Sequence, residues 1–190
     1  TSLIVVIPSR ILSRAFSSWV GKGAMHKRIP SFILYHKDAR FLQSFLDGYL
    51  LGDGHRERRI GRAMRYSGVT VSKVLALQLQ LLLARLGRRC YISESPVLKP
   101  AFIEGRLVHA HTRYRLHIPL EAKRFHAPMT DTHILFPLRQ VVDVQFEGDV
   151  FDLETTHQNY LMHNVIAHNC SPPRDVHYEG HDLVLKKVKC

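Results

Sequence analysis

The sequence predicts an α+β chain on three observations. Helix-type apolar runs occupy residues 41–54 and 72–87, a strict two-residue alternation follows at 107–118, and short β-type runs fill 141–168. With 190 residues and 45% hydrophobic content the chain holds one large or two small domains and has the means to bury a core.

The first helix is read over 41–54. The stretch is apolar and free of Pro, and Gly54 stops it. Gly48 and Gly52 stand four apart and share one face, where the missing side chains let another helix approach closely. Asp53 falls at the helix end, so a partner helix would bring a second carboxylate beside it. Such an acidic pair suits Mg²⁺ and phosphodiester hydrolysis, since Mg²⁺ takes oxygen ligands and keeps its waters. On periodicity alone, an amphipathic core helix with a Gly-rich end explains the same residues.

A basic stretch follows, with Arg56, Arg58, Arg59, Arg62 and Arg65, which lines a groove or stands solvated. The second helix, 72–87, has the polar start Ser72-Lys73 and the stop Gly87, and its Leu-rich faces belong to the core. In 107–118 the odd positions carry His109, His111, Arg113, Arg115 and His117, and the even ones Val108, Ala110, Thr112, Tyr114, Leu116 and Ile118. Period two sets the basic residues on one face, as a β reader of the DNA major groove needs, and the others against a core. A half-exposed strand with a polar outside is the plainer alternative. His109 and His111 lack a third ligand in sight, which argues against a metal site.

Residues 141–146 read as a β run, 147–149 as a turn and 150–154 as a second run, and Val165-Ile166-Ala167 delivers His168 and Asn169 to a strand end ahead of Cys170. An Asn side-chain amide can attack its own backbone carbonyl, close a succinimide and cut the chain after itself. The departing amine needs a proton, and the carbonyl oxygen needs polarising; an adjacent imidazole assists both. Cys170 supplies a thiol able to receive an acyl group.

The formal charge of +11 points to a polyanionic partner, because Lys and Arg release counterions from phosphates. Three widely spaced cysteines give neither a disulfide framework nor a Cys-x-x-Cys pair, so a reducing cytoplasm is the expected compartment. The apolar run 3–7 ends at Pro8 and is too short to span a bilayer, so no membrane segment is expected; the Thr at position 1 suggests a missing N-terminus.

Two resemblances gather these readings. The stretch 150–170 closely resembles the C-terminal splicing region of inteins, with its aromatic-Asp-Leu strand (151–153), mid-block His (157), short hairpin and terminal His-Asn before Cys. The resemblance gives Asn169 the cyclisation, His168 its assistance, Cys170 the transesterification acceptor's role, and Asp152 and His157 supporting polar positions. Leu-Asp-Gly-Tyr-Leu-Leu-Gly-Asp-Gly (46–54) resembles the LAGLIDADG signature of homing endonucleases, with both glycines, the acid and the final Gly in matching places. Lys27-Arg28-Ile29-Pro30 is similar to the Lys-x-Ile-Pro block ahead of the second such helix, and 72–87 to the helix ending in Leu-x-x-Leu-Gly. The implied site comprises Asp53 and Gly52 at the metal and Lys27 near the scissile phosphate.

The expected organisation is a LAGLIDADG half-domain, helices on an antiparallel DNA-binding sheet, over 1–126, hinged near 125–130. The C-terminal strands of a Hint splicing domain follow over 127–169, and a host segment over 170–190. The expected partners are double-stranded DNA and a missing N-terminal intein half. The expected activities are autocatalytic cleavage at Asn169-Cys170 and Mg²⁺-dependent double-strand cutting. One motif, without the splicing N-terminal blocks, makes the fragment alone incomplete. The alternatives are a LAGLIDADG-derived maturase or regulator that binds nucleic acid without cutting it, and an intein that has lost its nuclease.

Overall fold

The computed structural model describes residues 6–57, 64–95, 100–103, 105–108, 110–120, 128–136, 140–143, 145, 147, 150–168 and 184–188. Of the residues singled out above, Arg58, Arg59, Arg62, His109, Asn169 and Cys170 lie outside this set, as do the side chains of Asp152 and His168. The chain divides into two compact units, 1–136 and 137–190, so the expected boundary at 126 falls ten positions inside the first.

In the first unit α1 (Arg10–Val20) is capped by Ser9, whose Oγ accepts from the Leu12 amide at 3.3 Å. After a short 3₁₀ turn (Ala24–His26) come α2 (Ser31–Leu34), α3 (Ala39–Asp53), β1 (Gly54–Glu57), β2 (Arg65–Thr70), α4 (Lys73–Arg85) and β3 (Tyr91–Ser95). The pair β4 (Ala101–Ile103) and β5 (Arg106–Val108) precedes β6 (Arg113–Pro119). Both long helices follow their sequence signals. Asp38 caps α3 by accepting from the Arg40 amide at 2.8 Å, and Ser72 caps α4 by accepting from Leu75 at 3.2 Å. Gly87, at φ +66°, ends α4 in the left-handed region that favours glycine.

Four strands form one antiparallel sheet in the order β1-β2-β6-β3. Its inner face sets Leu116 and Ile118 against Leu42, Leu46 and Leu50 of α3 and Leu75, Leu79, Leu82 and Leu83 of α4, closing one buried core with Ile29, Leu34 and Cys90. Helices on one face of an antiparallel sheet solve the burial problem of both kinds of element at once.

The continuous strand expected over 107–118 is corrected: β5 stops at Val108 and β6 starts at Arg113. Residues 110–112 keep the alternation but belong to no strand, since β2 and β3 pair with β6 only over 113–119. His111 therefore stands outside β6.

The second unit contains β7 (Val150–Glu154), β8 (Asn159–Met162), β9 (Val165–His168) and β10 (Val184–Val188). β7 pairs with β10, and β8 with β9, both antiparallel. The β8–β9 hairpin closes through His163 and Asn164 at φ 49° and 64°. Positive φ at both loop positions matches the twist of the flanking strands, and Asn tolerates it well. The run at 141–146 is not a strand at its described positions: Val141 and Val142 are exposed and pair with nothing described.

Candidate functional site

Asp53 is the last residue of α3, and β1 begins at the next position. Gly54 makes that direct junction possible, because a Cβ there would collide with the carbonyl oxygen of Leu50. Lys27 reaches Asp53 from the segment after the 3₁₀ turn, with Nζ 3.9 Å from Oδ2. That segment is strapped to α4. The Ser72 hydroxyl donates to the Lys27 carbonyl at 2.7 Å, while Gln78 accepts from the Ile29 amide at 2.7 Å and donates to its carbonyl at 3.2 Å. With Ile29 buried as well, the backbone on both sides of Arg28 is fixed.

The Lys27 and Asp53 side chains are 53% and 59% exposed, so water screens the pair and its worth to stability is small. Both remain open to a ligand. One turn back along α3, the Tyr49 hydroxyl is enclosed beside Gly68, where a Cβ would lie 3.0 Å from it. Burial, helped by the charge of Asp53, pushes this phenol up to about 12.

One carboxylate beside an ammonium does not fit a divalent cation. Among the described residues no three His, Cys, Asp or Glu side chains gather as a metal set. The α3 face carrying Gly48 and Gly52 is open, with nothing within 4 Å of a Cβ at either, and Leu51 beside it is 90% exposed. The opposite face, with Leu42, Leu46 and Leu50, is in the core.

The outer sheet face is the basic surface. Register places His55 and Glu57 of β1, Arg65, Ser67 and Val69 of β2, Arg113, Arg115 and His117 of β6, and Tyr91, Ser93 and Ser95 of β3 on one side. Arg113 and Arg115 point outward opposite buried Leu116 and Ile118, as the alternation requires. Arg56 lies across from Tyr66 and Ile118, on the other face from Arg113 and Arg115. His117 is half-buried, its Nε2 2.9 Å from the Ser93 hydroxyl. Sequence reading missed Glu57 and Ser67 as site residues and held Arg65 only as the end of the basic stretch. Alternation in 65–70 was the available signal for Arg65 and Ser67, while Glu57 is hidden inside an arginine run.

In the second unit Asp152 sits in β7, with Lys186 of β10 as its register partner. His157 is exposed in the turn between β7 and β8. β9 ends on His168, whose register partner is Asn159, two residues past His157. The hairpin thus returns the chain toward the His157 turn just before Asn169.

The result is a mixed α/β chain built on an antiparallel sheet with a basic outer face. Among the described residues no helix is long and apolar enough to cross a membrane. No protein-family description matches the sequence. Over 84% of its length the chain is 30% identical to the ATP-dependent DNA helicase Hel308 of Thermococcus kodakarensis. Over 81% it is 30% identical to iron-sulfur cluster assembly SufBD family proteins of Mycobacterium bovis and Mycobacterium tuberculosis. The chain spans only 16% of the helicase and 18% of the SufBD proteins.

Proposed function

We propose that the chain is the C-terminal part of an intein: the second half of a LAGLIDADG homing endonuclease, the last strands of the splicing domain, and a host segment from Cys170. One observation carries this reading. The same sequence aligns, at equal identity, with about a sixth of a DNA helicase and of proteins named for iron-sulfur cluster assembly. A segment shared by proteins with such different names and covering so little of each is best explained as an insertion with chemistry of its own.

Three features of the chain support the assignment. Asp53 ends a helix whose glycine stripe faces outward, ready for a second such helix, and Lys27 stands 3.9 Å from its carboxylate. The outer sheet face presents Arg65, Arg113 and Arg115 to a polyanion. A hairpin strand ends on His168 immediately before Asn169. In the cleavage step the Asn169 side-chain nitrogen bonds to its own carbonyl carbon, the bond to the Cys170 nitrogen breaks, and the leaving amine takes a proton. Mg²⁺ is the cofactor expected of a nuclease of this class. Because Asp53 alone does not form its site, DNA cutting belongs to an assembly that contributes a second carboxylate.

The basic outer sheet face would also serve a narrower reading, a nucleic-acid-binding module without nuclease activity. One experiment separates the readings. The purified chain is held at neutral pH and followed by mass spectrometry for a fragment ending in a succinimide at Asn169, with Asn169→Ala alongside. Release from the parent chain and none from the variant is the expected result. An intact chain under folding conditions, with the missing N-terminal intein half supplied, sinks the intein reading.

A further inference from the structure

Glu57 is an acid on a surface otherwise suited to DNA, and its contacts are unusually complete. Arg65 donates to Oε2 twice, from Nη2 at 2.6 Å and from Nε at 2.9 Å. The Ser67 hydroxyl donates to Oε1 at 2.7 Å, and Arg115 Nη1 lies 3.6 Å from the same oxygen. The carboxylate is 12% exposed, whereas Arg65 and Arg115 keep 26% and 45% of their side chains in solvent. Cross-strand pairing explains the cluster: Glu57 faces Arg65 directly, and β6 lies on the far side of β2.

We propose that Glu57 is a specificity-determining residue of this face, holding Arg65 and Arg115 as readers of guanine edges and preventing their use as phosphate contacts. The proposal rests on the DNA-binding reading above. A guanidinium has five N–H donors in a rigid plane, and Glu57 engages Arg65 through Nε and Nη2, so the donors of Nη1 stay free. A guanine edge offers two neutral acceptors, O6 and N7, to such a fixed fork. A phosphate reaching the same guanidinium would come close to the Glu57 carboxylate and be repelled. Arg113, two positions along β6 on the same face, has no carboxylate within ion-pair distance among the described residues and is left to bind phosphate.

The test selects duplexes from a random-sequence pool with the chain, with E57Q and with R65K, and measures bulk affinity against salt. The unaltered chain is expected to enrich guanine at a fixed position. E57Q keeps the shape but removes the charge. Its affinity for random duplex should rise several-fold, its log–log salt slope should steepen by about one for each phosphate gained, and the guanine preference should fade. R65K retains the cation without the planar fork, so guanine enrichment should drop at an unchanged slope. Unaltered selection in both variants, or weaker bulk binding by E57Q, overturns the proposal. If the unaltered chain retains no duplex of any sequence, the DNA-binding reading fails and this proposal fails with it.

Discussion

The two units are opposites in how they hold themselves together. In residues 1–136 two long helices and a sheet enclose a continuous core in which Leu46, Leu79, Leu82, Leu83 and Leu116 are fully buried. In 137–190 the hairpin residues Leu161, Met162, Val165 and Ile166 stand exposed. Isolated hairpins of this kind are marginal in water unless further strands or another surface cover them. The first unit has the anatomy of an independent folding body. The second pairs its described strands two by two, β7 with β10 and β8 with β9.

The sharpest way to break this contrast is a matched pair of truncations. Leu79→Ala leaves a cavity in the core and should destabilise the first unit by about 2–5 kcal/mol. The measurement is urea unfolding followed by helical circular dichroism, since the described helices all lie in this unit. A loss below about 1 kcal/mol would mean that the core is looser than its burial indicates.

A smaller effect comes from two buried acids of the first unit. Burial pushes the Cys90 thiol from its ordinary 9.0 up to about 12, and the Tyr49 phenol from 10.0 up to about 12. Both groups hold their protons more tightly folded than unfolded. Their contribution is intact below pH 9 and is lost progressively as pH rises toward 12. The urea midpoint should fall between pH 9 and 11, and Cys90→Val should delay the onset. A flat midpoint over that range contradicts the burial of these groups.

Gly48→Ala should act in the other direction. The helix interior is open there, so Ala stabilises α3 by about 0.5–1 kcal/mol. In an assembly that pairs this face with another helix, the same change should weaken association. Destabilisation of the chain alone would mean that the face is already occupied. Ile166→Ala closes the series: on the exposed hairpin it should change stability by less than about 0.5 kcal/mol. A larger loss would place the hairpin in a folded core of its own.

Much of the first unit was legible because its signals are local. Ser72, Gly54 and Gly87 mark the limits of α3 and α4 as written, and a helix needs only its own residues to satisfy its backbone. Strands need partners elsewhere. The alternation at 109–112 is as good as that at 113–118, but β2 and β3 reach only the latter. The apolar run at 141–146 has β-type composition and no described partner. The arginine cluster on Glu57 was unreadable for the same reason, since Arg115 lies 58 positions away and only register brings it near. The motif resemblance put Lys27 near the scissile phosphate, and no spacing along the chain encodes its 3.9 Å approach to Asp53.

The junction at Gly54 has a mechanical consequence. The helix carrying Asp53 passes into the first strand of the outer-face sheet without a single intervening residue, while Lys27 is tied by its backbone to α4. The carboxylate therefore rides on the sheet edge, and the ammonium rides on a different support. Any tilt of β1 relative to α4 changes the 3.9 Å gap between the two charges.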